Sequence, residues 1–178
     1  MGAERSSRSL AIIAAFRQEI NQYLRIHRFR MAQRHEYVRF YESDLKSDVV
    51  VVEGGVGRQR AEEATRLAIE KYRPLYIVNA GFAGGVKAEL KAGDLLLCDR
   101  LFSLEGPATF WQADSASERS LQELDATNYL IESAEDGRQR DYSTCGCLSV
   151  PELASGAQMK AWIGANFPVS IIDMESYW

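Results

Sequence analysis

The chain has 178 residues, of which 46% are hydrophobic and 26% are charged, and its formal net charge is −4. This composition is ordinary for a globular protein, and the length suits one well-packed domain better than two small ones. The acidic balance argues against nucleic acid as a partner, because phosphate binding needs a concentrated basic surface. Every apolar run is shorter than the roughly 20 residues that span a bilayer, so we predict no membrane contact.

The N-terminal residues 1–8 are polar, so we predict that they are disordered and that the folded part begins at residue 9. They contain no hydrophobic region of a signal peptide, which favours a cytoplasmic protein. The three cysteines, Cys98, Cys145 and Cys147, lack the second cysteine pair or the nearby histidines of a zinc site. We therefore predict buried, reduced thiols and no metal.

The first part of the chain alternates between apolar runs and helical spacing. The predicted elements are a strand at 9–16, a helix at 17–29, strands at 36–42 and 48–53, a helix at 58–72 and a strand at 75–79. The two strands at 36–42 and 48–53 have a short link, which predicts an antiparallel hairpin. We interpret the basic stretch 25–34 as a solvated helix end and loop, with an anion or nucleic-acid patch as the alternative.

The second part continues the alternation with one long interruption. The predicted elements are a strand at 93–98, a connection at 101–120, a helix at 121–135, a strand at 145–150, a helix at 154–167, a strand at 169–173 and a helix that begins at 174. The connection holds Phe102, Phe110 and Trp111, which suit either a channel for a bulky substrate or core and oligomer packing. The whole pattern predicts an α/β fold with a mixed, mostly parallel sheet.

Candidate ligand-binding residues follow the strands, because ligands of open α/β sheets bind at the carboxyl ends of strands. Glycine-rich turns occur at 54–57 and 81–85, and together they favour a nucleoside-sized pocket, although neither matches the dinucleotide or P-loop pattern. Glu19 and Glu175 each lie just past a strand. Such a carboxylate can orient a water molecule or accept hydrogen bonds from two sugar hydroxyls. The alternative is a purely structural role, because the helix dipole favours a carboxylate in the first turn of a helix.

Several segments resemble one family in order along the chain, among them "AIIAAFRQEI", "VVEGGVGRQRAEEAT", "YIVNAGFAGGVKAELKAGDLLLCD" and "NFPVSIIDMES". They are similar to the purine nucleoside phosphorylase and uridine phosphorylase superfamily, in particular to its 5′-methylthioadenosine/S-adenosylhomocysteine nucleosidases. The resemblance implies a three-layer αβα fold with a twisted, mixed, mostly parallel central sheet, in a homodimer or larger homo-oligomer. It also implies cleavage of the N-glycosidic bond of a small-molecule nucleoside without a cofactor.

The resemblance further implies a role for individual residues. Glu19 aligns with the glutamate that orients the attacking water, and Glu175 with the glutamate that holds the ribose hydroxyls. Met174 aligns with the methionine that packs on the ribose. The resemblance also implies that Phe82, Ala83 and Gly84 of the glycine-rich turn bind the substrate. Leu153 occupies the position of the aromatic residue that stacks on the purine in the family.

Two departures from the family pattern shape the expected reaction. Asn79 and Phe82 occupy the positions of the arginine and serine that hold phosphate in the phosphorylases, so we predict water as the acceptor and hydrolysis of a purine nucleoside or thionucleoside. The family continues past the Met-Glu pair to a Ser-Asp element whose aspartate protonates the leaving base. We therefore expect a single domain at 9–178 that is incomplete at its C-terminus.

Three alternative functions stay open. The first is phosphorolysis of a nucleoside, and the second is a catalytically impaired remnant that binds a nucleoside without turnover. The third is hydrolysis of an adenosine-modified lipid or a quinone precursor, which the changed residues Phe82 and Leu153 leave open.

Overall fold

The computed structural model describes residues 8–104, 121–125, 142–151 and 156–178. The chain divides into two compact units, one of Met1–Phe82 with Trp178 and the other of Ala83–Tyr177. Each unit has its own five-stranded sheet among the described residues. The single domain at 9–178 and the disordered residues 1–8 stay predictions.

The first unit contains five strands and two long helices within residues 8–82. They are β1 Leu10–Ala14, α1 Arg17–Ile26, β2 Arg30–His35, β3 Val38–Glu42, β4 Val49–Glu53, α2 Arg58–Tyr72 and β5 Tyr76–Asn79. The strand order is β2-β3-β4-β1-β5. β1 is parallel to β4 and β5, whereas β3 is antiparallel to β2 and β4. The predicted hairpin of β3 and β4 is confirmed, and so is the mixed sheet.

The core of the first unit lies on both faces of β4, whose sequence is a run of four valines. Val50 and Val52 pack with Ala64 and Ala68 of α2, whereas Val51 packs on the other face. That second face is covered by Ile20 and Leu24, the buried side chains of α1. Side chains alternate along a strand, so a run without polar residues buries both faces. The three-layer arrangement of the chain as a whole stays a prediction.

Two predictions for the first unit are wrong in part. The stretch 25–34, which we interpreted as a solvated helix end and loop, does contain the end of α1, but from Arg30 onward it forms β2, and all six residues of β2 are exposed. β2 has one neighbour at the sheet edge, so its polar side chains stay in water and show no burial pattern. β5 was predicted to be a buried strand, but it also lies at an edge of this sheet and exposes Tyr76 and Ile77.

The second unit contains the remaining described strands and one long helix. They are β6 Gly84–Gly85, β7 Leu96–Leu104, β8 Leu121–Asp125, β9 Ser143–Ser149, α3 Ala157–Asn166 and β10 Ile171–Asp173. The order is β6-β10-β9-β7-β8. β7, β9 and β10 are parallel, and the two outer strands are antiparallel to their neighbours. Phe102, Leu148 and Ile163 of α3 form the centre of its core.

Three predictions for the second unit need correction. Residues 121–125 form β8 and not the start of a helix, because pairing with β7 supplies their backbone hydrogen bonds. Phe102 lies in β7 and is buried, and not in a loop, whereas Phe110 and Trp111 lie outside the described residues. The chain forms a turn after β10 where we predicted a helix.

The cysteines and the helices bear on two further predictions. Cys145 and Cys147 are buried free thiols as predicted, and Cys98 is a half-buried one. A hydrogen bond with Cys98 and burial raise the pKa of the Cys145 thiol. Among the residues that the structure describes, no helix is both long enough and apolar enough to cross a membrane.

The turn after β4 offers a test of the packing of the first unit. A Cβ on Gly54 would lie 2.5 Å from the Cβ of Ala64 in α2. We expect Gly54→Ala to lower the free energy of unfolding in urea by about 1–3 kcal/mol, because the added methyl overpacks the core. Ala64→Gly removes the methyl that the new side chain would contact. The double variant Gly54→Ala with Ala64→Gly should therefore lose about 0.5–3 kcal/mol less than the sum of the losses in the two single variants. Strictly additive losses would contradict this packing.

Candidate active site

The carboxyl ends of the three parallel strands of the first unit meet at one edge of its sheet. Backbone hydrogen bonds continue past the strands: the Gly55 N–H donates to the Ala15 carbonyl at 2.7 Å, and the Ala80 N–H donates to the Ile13 carbonyl at 2.8 Å. These bonds hold the glycine-rich turn after β4 and the turn after β5 against the end of β1. The edge is therefore where this unit can present backbone groups to a ligand.

The carboxylate of Glu19 lies at this edge and accepts three backbone hydrogen bonds. Its Oε2 accepts from the N–H of Ala15 at 2.9 Å and from the N–H of Phe16 at 3.1 Å. Its Oε1 accepts from the N–H of Phe82 at 3.0 Å. Glu19 is in the first turn of α1, from which a glutamate reaches back to the residue before the helix. One side chain thus ties the end of β1 to the turn after β5.

Gly81, which we did not predict as a site residue, makes this contact possible. A Cβ on Gly81 would lie 2.8 Å from Oε1 of Glu19 and 3.2 Å from its Cδ. Real Cβ atoms do not come this close to other atoms, so a larger residue would displace the carboxylate. The signal in the sequence was the first glycine of "AGFAGG", because glycine permits close approach to a backbone.

The three hydrogen bonds orient the Glu19 carboxylate, which can still accept a further hydrogen bond. An ionised carboxylate offers about four lone-pair sites, and three backbone donors occupy three of them. The side chain of Glu19 is half-buried, so solvent still reaches it. The arrangement can hold one further hydrogen-bond donor, such as a water molecule, in a defined direction.

Two aromatic residues contact the Glu19 carboxylate through their backbone. Phe16 and Phe82 both donate their backbone N–H groups to it, and both expose their side chains. Their ring centroids lie 6.3 Å apart, at an interplanar angle of 58°. Phe82 was predicted as a pocket residue, and it lies next to Glu19. The carboxylate therefore has an exposed apolar surface beside it.

A second carboxylate, that of Glu53, lies at the end of β4 and is buried. It accepts hydrogen bonds from Arg39 at 2.5 Å and from the Tyr41 hydroxyl at 2.6 Å. Burial and the hydrogen bond to Glu53 raise the pKa of Tyr41. The guanidinium of Arg17 lies 4.8 Å from the centroid of the Tyr41 ring. Glu53 is thus engaged in holding β3 against β4.

The second unit contains the remaining described candidates. Gly84 of β6 pairs with Ile172 of β10, and a Cβ on Gly84 would lie 3.2 Å from Cγ1 of Ile172. Ala83 directly precedes this strand. At its carboxyl end β10 leads into Met174 and Glu175, which are both half-buried. The pairing therefore brings the glycine-rich turn next to the strand that carries the predicted ribose-binding pair.

Asp173 and Ser149 hold the turn that contains Met174 and Glu175. Oδ1 of Asp173 accepts from the Ser149 hydroxyl at 2.6 Å, and Oδ2 accepts from the Ser176 N–H at 2.8 Å. The Ser149 Oγ in turn accepts from the Tyr177 N–H at 3.0 Å. The Met174 N–H donates to Oε2 of Glu175 at 3.3 Å. Ser149 was not recognised in the sequence, because a buried serine in an apolar strand carries no local signal.

The predicted site residues are therefore distributed over both units. Glu19 and Phe82 are in contact in the first unit, and Ala83, Gly84, Met174 and Glu175 belong to the second. Leu153 lies outside the described residues. Within those residues, no group of three or more histidine, cysteine or acidic side chains is placed to hold a metal ion.

Glycine-rich turns and carboxylates that follow the strands of a mixed α/β framework are typical of α/β proteins that bind small molecules at strand ends. A family model described as the Phosphorylase superfamily matches residues 9–177. The chain belongs to this superfamily, which confirms the family that the sequence motifs resemble.

Individual relatives agree with this assignment. The 5′-methylthioadenosine/S-adenosylhomocysteine nucleosidase of Buchnera aphidicola is 33% identical over 89 residues, which are 49% of this chain and 38% of the relative. The chain thus spans less than two thirds of the length of the curated relatives that it matches. A crystal structure of the nucleosidase of the same name from Neisseria meningitidis, in complex with methylthio-immucillin-A, has a TM-score of 0.74 at 22% identity. The match covers 94% of this chain and 76% of that one.

A second solved structure has a different substrate in its name. The native structure of futalosine hydrolase from Helicobacter pylori has a TM-score of 0.75 at 18% identity, over 95% of this chain and 75% of that one. At these identities the likeness concerns the fold alone. It confirms the predicted mixed α/β fold.

The contacts of Glu19 lead to a prediction about stability. Glu19→Gln replaces one acceptor oxygen with a donor, so a backbone N–H of Ala15, Phe16 or Phe82 loses its partner. We expect the free energy of unfolding to fall by about 1–3 kcal/mol in a urea titration. Glu62→Gln on the exposed face of α2 is the matched control, because its ion pair with Arg58 is solvated and should contribute less than about 1 kcal/mol. Equal losses in the two variants would contradict the role of the three bonds.

Proposed function

We propose that this protein cleaves the N-glycosidic bond of a purine nucleoside or thionucleoside by hydrolysis. Three observations support the proposal. The chain belongs to the Phosphorylase superfamily, relatives over part of its length are named nucleosidases, and Glu19 lies at the sheet edge where α/β proteins bind ligands. The proposal also includes a homodimer or larger homo-oligomer, as the family resemblance implies, and a cytoplasmic location.

The observation that carries the proposal is the fixed carboxylate of Glu19. Cleavage of an N-glycosidic bond passes through a sugar with oxocarbenium character, and water must attack from a defined direction. Three backbone N–H groups orient Glu19 and leave room for one further donor. We assign Glu19 the role of orienting this water and of accepting its proton as the new C–O bond forms.

Met174 and Glu175 serve the ribose in this proposal. The Glu175 carboxylate accepts hydrogen bonds from two ribose hydroxyls, and the Met174 side chain packs against the sugar ring. Such hydrogen bonds strengthen as positive charge builds on the sugar, so they favour the transition state over the bound substrate. The Asp173 and Ser149 hydrogen bonds support these roles, because they restrict the turn that carries both residues.

Binding of the base is assigned to Phe82, Ala83, Gly84 and Leu153, as the family resemblance implies. The glycine-rich turn offers close approach to its backbone, since Gly84 has no side chain. Leu153 is assigned by resemblance alone. The purine must leave as a neutral base, so a proton has to reach its ring during cleavage.

Water is proposed as the acceptor because Asn79 and Phe82 replace the arginine and serine that hold phosphate in the phosphorylases. The exposed ring of Phe82 favours a substrate with an apolar group near the turn. A modified nucleoside with such a group, for example an adenosine-modified lipid or a quinone precursor, is therefore the second candidate substrate.

The decisive experiment measures base release by the purified chain from 5′-methylthioadenosine, adenosine and futalosine, with and without phosphate. We expect free purine and free sugar in phosphate-free buffer, because water is the acceptor. Release that requires phosphate and forms a sugar 1-phosphate would assign the chain to the phosphorylases. Calorimetric binding of the nucleosides without release would identify a nucleoside-binding protein.

Variants test the assigned roles on the substrate with the highest activity. Glu19→Gln should lower kcat by about 10²–10⁴-fold, because the water loses its proton acceptor. Glu175→Gln should lower kcat/KM, because the ribose hydroxyls lose a charged acceptor. Glu62→Gln should leave both parameters unchanged, and circular dichroism checks that each variant is folded. Full activity of Glu19→Gln would exclude Glu19 as the catalytic residue.

A further inference from the structure

A cavity of about 340 Å³ lies in the first unit, at β2 and the end of β3. Its lining includes Arg8, Arg28, Arg30, Met31, Leu45 and Ser47. None of its lining residues takes part in the Glu19 contacts or in the glycine-rich turns. Its volume is at the lower end of the range of small-molecule sites. The cavity is therefore a possible binding site separate from the candidate active site.

The wall of this cavity has an excess of one positive charge. Three arginines line it together with two carboxylates, those of Glu42 and Asp44. Glu42 accepts from Arg8 at 2.8 Å and from the Tyr72 hydroxyl at 2.7 Å, so the charges of Glu42 and Arg8 offset each other. Arg28 and Arg30 then outnumber the remaining carboxylate, that of Asp44. The Nε of Arg8 is buried and has no hydrogen-bond acceptor among the residues that the structure describes. The guanidinium groups therefore leave donors for an additional anion.

Arg28 occupies a backbone position that normally favours glycine. It follows α1 with a φ of +53°, and the Phe29 N–H donates to the Leu24 carbonyl at 2.8 Å, which is the hydrogen-bond pattern of a Schellman motif. Glycine is usual at this position because a Cβ is strained there. The chain thus carries an arginine at the rim of the cavity at a conformational cost.

The remaining wall is apolar and hydroxylic. Met31 and Leu45 line the cavity and expose 58% and 60% of their surface, so both have apolar area available for contact. Ser47 adds a hydroxyl donor next to them. Arginines and a hydroxyl suit a phosphate group, and the two apolar side chains suit a hydrocarbon or aromatic group attached to it.

We propose that this cavity binds a small organic phosphate, a phosphomonoester with an apolar or aromatic group. The phosphate lies against Arg28 and Arg30, and the apolar group lies against Met31 and Leu45. The site is independent of the proposed nucleosidase reaction. Binding at this site would persist if no nucleoside were cleaved.

Calorimetry on the purified chain tests the site with phenyl phosphate, inorganic phosphate and phenol. We expect phenyl phosphate to bind more tightly than inorganic phosphate, because only the ester contacts the apolar wall, and phenol to show no binding. The single variants Arg28→Gly and Arg30→Ser should each lower the affinity for phenyl phosphate by about 10- to 100-fold, because each removes a donor of charge-assisted hydrogen bonds. Leu45→Ser should weaken phenyl phosphate and leave inorganic phosphate unchanged.

Arg73→Gly is a matched control for Arg28→Gly. Arg73 follows α2 with a φ of +48°, and it is exposed and does not line the cavity. Arg28→Gly and Arg73→Gly therefore remove the same charge and relieve the same kind of backbone strain. Both variants should raise Tm by a few degrees, but only Arg28→Gly should weaken the binding of phenyl phosphate. Equal affinity in the two variants, or no binding of phenyl phosphate to the unaltered chain, would overturn the proposal. Arg30→Ser supplies the same comparison if Arg28→Gly fails to fold.

Discussion

The first unit depends on the parallel pairing of β1 with β4 on one side and with β5 on the other. Parallel pairing aligns the carboxyl ends of all three strands, so the segments that follow them emerge at one edge. β4 supplies the apolar surface that both helices cover, which gives the pairing its stability. This alignment brings Glu19 into hydrogen-bond contact with Phe82, although the two residues are 63 positions apart in the chain.

The two units present their candidate residues by different physical means. In the first unit, a carboxylate is oriented by backbone N–H groups, and the absence of a side chain at Gly81 lets it approach. In the second unit, the predicted ribose-binding pair follows a turn that Asp173 and Ser149 hold through side-chain hydrogen bonds. Both arrangements restrict a predicted site residue, and such restriction in general lowers the entropy that is lost when a ligand binds.

The elements that could be predicted are those whose local pattern agrees with their tertiary environment. β4 and α2 carry continuous apolar and helical spacing, and the structure uses these patterns for the core. β2 was missed because an edge strand whose six residues are all exposed lacks any alternation between buried and exposed positions. Residues 121–125 were assigned to a helix because their spacing fits one, but the edge of β7 offered strand pairing that no local pattern contains.

The sequence by itself determined the alternation of strands and helices, the superfamily and the two glutamates that follow strands. It could do so because hydrophobic periodicity and motif residues are local properties. Only the tertiary structure decided that Gly81 must be a glycine, that Ser149 supports the turn at Met174, and that Arg28 and Leu45 share a cavity. Each of these depends on a distance between residues that are remote in the chain, and such distances arise only when the strands pair.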